Sequence, residues 1–320
     1  MDNLCHTLVG AALGDAGLKR RTRFGGATLL VASNLPDVDV LAFTTSTPAV
    51  ALRRGWTHGI LGQACLPVLL TALVLAVARH RAAAHLMTTR GAADDPPVRG
   101  REILLLSYIG VTTHVLMDLL NTYGVRLLMP FDRRWFYGDV LFIVDPWLWL
   151  VLGAGIAMAR RRHSSGPARA SLLVACAYVL VMVVSARAAR AEIAERWQQV
   201  AGHPPQALMV GPAPVNPMRR DVIVDAGDHY ETGVFTWQPR DIRFDRAVVA
   251  KHDRDPRVAI ARAAPNIRAF LVWSRFPFWT LEPVDGGTRV TVGDMRFAGG
   301  QGIAGRTFTQ SVVVSARPGS

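Results

Sequence analysis

Seven ionisable side chains lie in otherwise apolar stretches of the first half of the chain. They are His6, Asp37, Asp39, His58, His114, Asp118 and Asp145. Titratable groups are costly to bury in apolar segments and usually have a function there. Imidazole together with carboxylate suits zinc, iron or manganese, and a bound cation would offset the desolvation of the aspartates. We therefore predict a divalent metal site built from these seven residues, with zinc as the first choice and iron or manganese as alternatives.

Two local patterns support metal ligation. His114 and Asp118 are four residues apart, so on a helix both side chains project from one face. Asp37 and Asp39 follow Pro36, which interrupts regular helix and allows the chain to turn both carboxylates toward one point. These spacings predict that residues distant in the sequence converge on the same ion.

Some of these seven side chains could also have a role without metal. The cluster as a whole could be an interhelical hydrogen-bond network, although so many acids without basic partners would repel one another. His6 could make an ordinary polar contact. Asp145 precedes Pro146 and could simply cap a helix that has the proline at its first position.

The elements that position these residues are predicted from composition. Of the 320 residues, 50% are hydrophobic and only 19% are charged, and the mean hydropathy is +0.22. A soluble globular protein needs more polar surface than this. Three cysteines and the absence of a short repeat exclude a disulfide scaffold or a fibrous protein. We predict an integral membrane protein.

About six apolar runs are candidates for membrane-spanning helices. They are Leu4–Leu18, Gly25–Thr44, His58–Ala78, Ile103–Leu120, Val140–Ala159 and Ala170–Ala186. The first run is short, and the second is interrupted by the sequence Asn-Leu-Pro-Asp at 34–37. The predicted fold is therefore an α-helical, multi-pass membrane domain over residues 1–190.

Basic residues indicate the orientation of this domain. Residues 1–190 carry 20 Lys and Arg against 11 Asp and Glu, and residues 191–320 carry 16 against 13. The excess is concentrated in loops at 19–23, 79–101 and 160–169, which favours a membrane protein over a nucleic-acid-binding one. With these loops in the cytoplasm, the site residues share the outer leaflet of the membrane. The C-terminal domain then lies outside the cytoplasm.

The composition and pattern of the sequence change after the membrane domain. Prolines between 204 and 217 indicate a linker, which we place at 191–219. Residues 220–320 are predicted to form a small antiparallel β-rich domain outside the membrane. Its candidate strands are Asp221–Asp225, Tyr230–Trp237, Ile267–Arg275, Thr288–Val292 and Thr307–Ala316.

Three motifs in the membrane domain resemble a known family. They are LPDVD at 35–39, RRGWTHG at 53–59 and THVLMDLLNTYG at 113–124. In combination they resemble the YdjM-type family of membrane-bound, predicted metal-dependent hydrolases, some of which are described as LexA-binding inner-membrane proteins. Gly59 stands where members often have serine. The segments APVNPMRRDVI at 213–223 and WSRFPFW at 273–279 resemble the C-terminal extension of longer proteobacterial members.

The residues and the resemblance together suggest a membrane-embedded hydrolase. The ion would lower the pKa of a water, which would then attack a phosphoester or other ester. Asp37, Asp39 and Asp118 are the candidate catalytic carboxylates, since one that is not fully used in ligation can accept the proton. Arg53 and Arg54 are candidates for binding an anionic headgroup, or else they are interfacial anchors.

A site in one leaflet suits a lipid or lipid-linked substrate drawn from the bilayer, and nucleic acid is not expected as a partner. The alternative is a non-enzymatic metal-binding membrane protein: a transporter, a sensor or an interaction protein with a structural ion. The sequence leaves the substrate, the number of ions and the oligomeric state open.

Overall fold

The computed structural model describes residues 1–45, 47–86, 97–298 and 308–315, with the backbone alone at 82–86. Part of the predicted basic loop at 79–101 and both ends of the predicted strand Thr307–Ala316 lie outside these residues. The chain divides into two compact units. The first comprises Met1–Asp39 and Arg54–Val183, and the second comprises Val40–Arg53 and Val184–Ser320.

The N-terminal region is helical. Its α-helices are α1 (Asn3–Asp15), α2 (Gly25–Ala32), α3 (Ala49–Leu52), α4 (Ile60–Leu86), α5 (Gly100–Leu119), α6 (Pro146–Arg161) and α7 (Gly166–Ala201). Two 3-10 helices accompany them, at Leu18–Arg20 and Leu35–Thr44. In the first unit, α2 and α4 pack against α5, while α1 packs against α2 and α6.

Among the described residues, three helical stretches are long and apolar enough to cross a membrane: Ile60–Arg81, Gly100–Leu119 and Gly166–Ala201. Helix α2 and the 3-10 helix Leu35–Thr44 would add a fourth if they form one span that is bent by 44°. The helical membrane region is thus confirmed, but the predicted count of about six spans is not. Helix α1 has only 13 residues, which is about 20 Å of helix.

The predicted span Val140–Ala159 is shortened at its start. Asp145 accepts hydrogen bonds from the backbone N–H groups of Trp147 and Leu148, and Pro146 occupies the first turn. Such a cap fixes the helix N-terminus, so α6 begins at Pro146 and has 16 residues. Hydropathy alone does not detect this boundary.

Two glycines allow the helices of the first unit to approach closely. A Cβ at Gly10 of α1 would lie 3.0 Å from the Leu29 carbonyl oxygen. A Cβ at Gly110 of α5 would lie 2.4 Å from the Cβ of Ala32. Small residues at membrane helix interfaces have this role. Gly10 is four residues after His6, and Gly110 is four residues before His114. The close contacts therefore lie on the same helix faces as these two histidines.

The second unit contains antiparallel β-sheet, as predicted. Its strands are β1 (Ala207–Pro212), β2 (Arg219–Asp225), β3 (His229–Trp237), β4 (Arg240–Phe244), β5 (Val249–Ala250), β6 (Pro277–Val284), β7 (Gly287–Asp294) and β8 (Thr309–Ser315). One sheet has the order β1-β2-β3-β4 with β5 also paired to β3, and the other has the order β6-β7-β8. Alternate residues of β1 and β2, such as Leu208 and Val222, pack with Ile193 and Trp197 at the end of α7.

Two parts of this unit differ from the sequence expectation. The range 191–219 contains the end of α7 and all of β1, although we expected a linker there. The stretch Ile267–Arg275 is not a strand, because helix α9 (Pro265–Leu271) occupies most of it. Pro265 lies in the first turn, and Ile267 and Phe270, three residues apart, are both buried. A second short helix, α8, spans Pro256–Ala261.

Asp294, at the end of β7, is buried and accepts several hydrogen bonds in the second unit. Its carboxylate accepts hydrogen bonds from the Ser274 hydroxyl at 2.8 Å, the Arg275 N–H at 2.7 Å and Arg296 Nε at 2.8 Å. Burial by itself would raise the pKa of Asp294, but the Arg296 guanidinium and these hydrogen bonds outweigh burial and lower it. The ionised form is therefore favoured in the folded unit.

We expect Asp294 to make the second unit sensitive to acid. A carboxylate with a depressed pKa in the folded state stabilises at pH values above its unfolded pKa of about 3.9, and this contribution is lost as the pH falls through the folded pKa. Asp294→Asn should therefore lower the free energy of unfolding at neutral pH and flatten its acid dependence. Urea titrations of the full chain, followed by tryptophan fluorescence, measure both effects. Asp285→Asn, at an exposed turn, is the control and should change neither.

Candidate metal centre

Four of the predicted ligands meet in the first unit. Asp37, His58, His114 and Asp118 are all buried, and one donor atom from each lies within 4.8 Å of the others. The His58 Nε2 atom is 3.2 Å from His114 Nε2 and 3.2 Å from Asp118 Oδ2. The His114 Nε2 atom is 3.8 Å from Asp37 Oδ1. Donor atoms this close, all pointing to one place, make a group compatible with binding a metal ion.

Each element brings its side chain to this point for a local reason. His114 and Asp118 share one face of α5, and their Nε2 and Oδ2 atoms are 3.6 Å apart. Asp37 directly follows Pro36 in the 3-10 helix Leu35–Thr44, which comes after the end of α2 at Ala32. His58 lies just before α4 begins at Ile60. The cluster is therefore formed by the 3-10 helix, the residues before α4 and one face of α5.

The two histidine rings are held in the orientation that metal ligation requires. The His114 Nδ1 atom donates to the Ser33 carbonyl oxygen at 2.8 Å, so Nε2 presents its lone pair to the cluster. The His58 Nδ1 atom is 2.9 Å from Thr57 Oγ1. The Thr57 hydroxyl in turn donates to Asp39 Oδ2 at 3.1 Å, so it is placed to accept from His58. Metal-ligating histidines typically donate their second N–H to such a partner.

Asp39 thus lies behind His58, outside the four-residue group. Its Oδ2 atom is 3.4 Å from His58 Nδ1, and it accepts a hydrogen bond from the Arg54 N–H at 2.6 Å. The sequence predicts Asp39 as a ligand and a catalytic carboxylate. The geometry instead favours a role in fixing the ring and the proton of His58.

We expect Asp39→Asn to weaken metal binding without abolishing it. The amide keeps the shape of the side chain but removes the charge that favours a proton on His58 Nδ1. Loss of such an orienting partner typically reduces metal affinity by about 10–100-fold. Competition between the purified protein and a chelator of known affinity measures the change. An unaltered affinity would show that Asp39 has no influence on His58.

His6 lies beside the group. Its ring stacks on that of His114, with centroids 3.8 Å apart and an interplanar angle of 21°. Its Nε2 atom is 3.3 Å from Asp118 Oδ1, but neither ring nitrogen makes a hydrogen bond within the described part of the chain. A ring nitrogen of His6 could therefore act as a fifth ligand to a metal ion in the cluster.

The remaining predicted residues lie elsewhere or have a different contact. Asp145 caps α6, and its Oδ2 atom accepts from the Tyr178 hydroxyl at 3.0 Å. Arg53 belongs to the second unit, where its guanidinium lies 5.5 Å from the centre of the Phe43 ring. The position of Asp145 favours a role as a helix cap.

Arg54, by contrast, is buried next to the cluster. It donates from Nη2 to Asp118 Oδ1 at 3.0 Å and from Nη1 to Asn121 Oδ1 at 2.8 Å. Its guanidinium also lies 4.7 Å from the centre of the Tyr123 ring. The Met1 amine contacts the same Asp118 oxygen. Asp118 therefore presents Oδ2 to His58 and His114, while Oδ1 contacts Arg54 and the Met1 amine.

Sequence reasoning did not assign roles to Asn121 or Thr57. Asn121 is three residues after Asp118, which places it on the same side of the chain at the end of α5. Thr57 directly precedes His58 in the RRGWTHG motif. A polar residue next to, or three residues from, a candidate ligand is the signal that would have identified both.

A metal ion fits the chemistry of this group. The four residues offer two imidazole nitrogens with their lone pairs directed inward and two carboxylates. His6 supplies a further nitrogen that makes no hydrogen bond among the described residues. Nitrogen and oxygen donors in this proportion suit zinc, iron or manganese. The structure does not identify the metal.

Comparison with known proteins supports the membrane assignment. The sequence pattern of the YdjM inner membrane protein family matches residues 1–189, which include every residue of the cluster. The chain belongs to the YdjM inner membrane protein family. It is a membrane protein, and the family membership predicted from its LPDVD, RRGWTHG and THVLMDLLNTYG motifs is confirmed.

One relative within the curated proteins is distant. The chain is 25% identical over 194 residues to the "Uncharacterized protein YfhP" of Bacillus subtilis (strain 168), an alignment that covers 58% of this chain and 54% of the relative. The chain therefore spans about half the length of that protein. No solved structure matches the chain significantly.

Proposed function

We propose that this YdjM-family protein is a membrane-embedded, metal-dependent hydrolase that cleaves a phosphoester or other ester of a lipid or lipid-linked substrate. The observation that carries the proposal is the buried group of Asp37, His58, His114 and Asp118 within a membrane domain. Burying so many ionisable groups in apolar surroundings has a high energetic cost, which a catalytic ion would explain.

The ion, when bound, would supply a Lewis acid that polarises the ester and lowers the pKa of a water. His58 and His114 would hold it through Nε2, and Asp118 would hold it through Oδ2. Asp37 Oδ1 lies 3.8 Å from His114 Nε2, and Asp37 is our candidate to accept a proton. Arg54 places positive charge beside Asp118, where it would favour an anionic phosphoryl group.

The proposed location and orientation follow from the family and from the basic residues in the loops. We propose a bacterial inner membrane with zinc as the resident metal and a periplasmic C-terminal domain. This orientation requires α1 and α6 to cross the membrane as well, and it then places the positive charges at 19–23 and 160–169 in the cytoplasm. An alkaline phosphatase fused after residue 315 should be active, and a cytoplasmic reporter at the same point should be inactive. The reverse pair of results would overturn the orientation while leaving the grouping of the ligands unchanged.

A hydrolase needs a coordination position that can exchange, whereas a structural ion has a closed shell. The test is to replace the resident metal by Co²⁺ in the purified protein and to add inorganic phosphate. We expect the visible spectrum of the cobalt protein to shift as phosphate enters the coordination shell. The same preparation should hydrolyse an aryl phosphodiester or an aryl ester, and His114→Ala should abolish both signals.

A cobalt spectrum that does not respond to phosphate, together with full metal occupancy and no turnover, would contradict the hydrolase. The protein would then be a non-enzymatic metal-binding membrane protein. Leu116→Ala is the matched control, because Leu116 lies on α5 between the two ligands but is exposed. It should retain the metal, the spectral response and the activity.

A further inference from the structure

An open groove of about 530 Å³ lies between α1 and the bent pair formed by α2 and the 3-10 helix Leu35–Thr44. Its polar lining is provided by Asn3 and Thr7 of α1, by Asn34, and by Asp37. Asp37 is also one of the four clustered side chains of the candidate metal centre. The groove therefore reaches the metal centre through a shared residue.

The polar strip coincides with the interruption of an apolar segment. The Asn34 side-chain amide donates to the Leu30 carbonyl oxygen at 3.0 Å and to Thr7 Oγ1 at 3.0 Å. The Thr7 hydroxyl donates to the Asn3 carbonyl oxygen at 2.7 Å. Non-helical backbone at membrane depth is tolerated where it is buried in protein or lines a polar cavity. The bend thus creates a hydrogen-bonding surface that an unbroken helix would not have.

The rest of the groove is apolar and faces outward. Leu30, Val31 and Val38 line it, and their side chains are 38%, 48% and 42% exposed. Exposed aliphatic side chains on a candidate membrane span are suited to contact with lipid chains. One groove therefore has an apolar rim on the outside and a polar strip leading to Asp37.

We propose that this groove admits a glycerophospholipid sideways from the bilayer, with its acyl chains against the apolar rim and the hydroxyl groups of its headgroup on Asn34 and Thr7. The phosphoryl group then lies next to Asp37 and the metal centre. The Asn34 amide hydrogens and the Thr7 hydroxyl hydrogen are already donated within the protein, so these side chains offer acceptor oxygens that fit the hydroxyl groups of a lipid headgroup. Among the described residues the lining contains no Lys or Arg. Charge recognition is left to the metal centre and Arg54.

This inference deepens the proposed function, because it names the substrate class of the same site. Lipid entry can nevertheless be tested without any turnover. The test titrates the purified full-length protein in detergent with dioleoyl phosphatidylglycerol and measures bound lipid by native mass spectrometry. Glycerol phosphate, which has the same polar chemistry without the chains, is titrated in parallel. Metal content is measured on every sample.

Two variants address the groove. Val31→Trp fills it from a half-exposed position with little effect on packing, and Asn34→Leu removes the polar strip. We expect each variant to bind the lipid about 10-fold more weakly and to retain the metal. A loss of this size is comparable to the loss of one or two hydrogen bonds. Leu173→Trp is the control, since Leu173 of α7 is 72% exposed and does not line the groove. It should bind lipid as the unaltered protein does.

Unchanged lipid binding in both Val31→Trp and Asn34→Leu would overturn the proposed groove. Equal affinity for glycerol phosphate and for the lipid would overturn it as well, because the acyl chains would then contribute nothing. Failure of the proposed function gives a different pattern. In that case lipid binding still depends on Val31 and Asn34, but the unaltered protein contains no metal or its metal does not exchange ligands.

Discussion

Replacing His114 by alanine is expected to remove the divalent ion from the protein while leaving the helical domain folded. His114 contributes one of the two imidazoles in the cluster, and its Nδ1–H bond to the Ser33 carbonyl fixes the ring. Loss of a direct ligand should reduce metal affinity by more than the roughly 10–100-fold caused by loss of an orienting group. Elemental analysis of the purified variant and chelator competition measure the effect.

Leu116→Ala is again the control for this change. Leu116 is 55% exposed, so its truncation neither opens a cavity nor touches the cluster. Asp118→Asn should also lose the ion, but it leaves Arg54 without its carboxylate partner and so mixes metal loss with instability. If His114→Ala and Asp118→Asn both kept full metal occupancy and normal folding, neither residue would be a ligand. The site would then have to be rebuilt around Asp37 and His58.

Replacing Arg54 by methionine is expected to destabilise the membrane domain strongly in the absence of metal. Arg54 and Asp118 form a buried ion pair at 3.0 Å. Removing one partner of such a pair leaves a buried charge uncompensated, at a typical cost of about 3–5 kcal/mol. A bound divalent ion also compensates Asp118, so the loss should be smaller in the metal-loaded protein.

Thermal or denaturant unfolding in detergent, with and without a chelator, measures this difference. Arg134→Met is the matched control, because Arg134 is 74% exposed and its ion pair is with Asp132 nearby. Exposed pairs of this kind contribute about 0–1 kcal/mol. An Arg54→Met protein as stable as the Arg134→Met protein, with no dependence on chelator, would show that the Arg54–Asp118 pair does not stabilise the cluster.

Part of the site could be predicted from the sequence because helical spacing is fixed. His114 and Asp118 are four residues apart, and any α-helix brings such residues to one face. The convergence of Asp37 and His58 on them could be anticipated only as a hypothesis based on their apolar surroundings. It depends on how α2, α4 and α5 pack, and on glycines whose importance is not visible in a single sequence.

The separation of Asp37 from Asp39 could not be predicted in the same way. The proline suggests that both carboxylates turn toward one point, but the chain continues as a 3-10 helix from Leu35 to Thr44. With about three residues per turn, positions two apart point in clearly different directions. Asp37 therefore faces the cluster, while Asp39 lies behind His58.

The predicted count of about six spans was not confirmed for a related reason. Hydropathy counts apolar residues but gives no weight to the groups that end a helix. Asp145 and Pro146 begin α6 six residues later than Val140, and α1 ends at Asp15. The β-rich domain was easier to predict, since its sequence contains short stretches rich in β-branched residues that are separated by turn residues. The helix at Pro265–Leu271 was mistaken for a strand.

Metal analysis of the unaltered protein, purified without chelators, tests the central claim most directly. Elemental analysis should find a stoichiometric transition metal, with zinc expected. X-ray absorption at the edge of that metal should show nitrogen and oxygen neighbours only, because the cluster of Asp37, His58, His114 and Asp118 contains no cysteine. A protein without stoichiometric metal, or a metal with sulfur neighbours, would contradict the account.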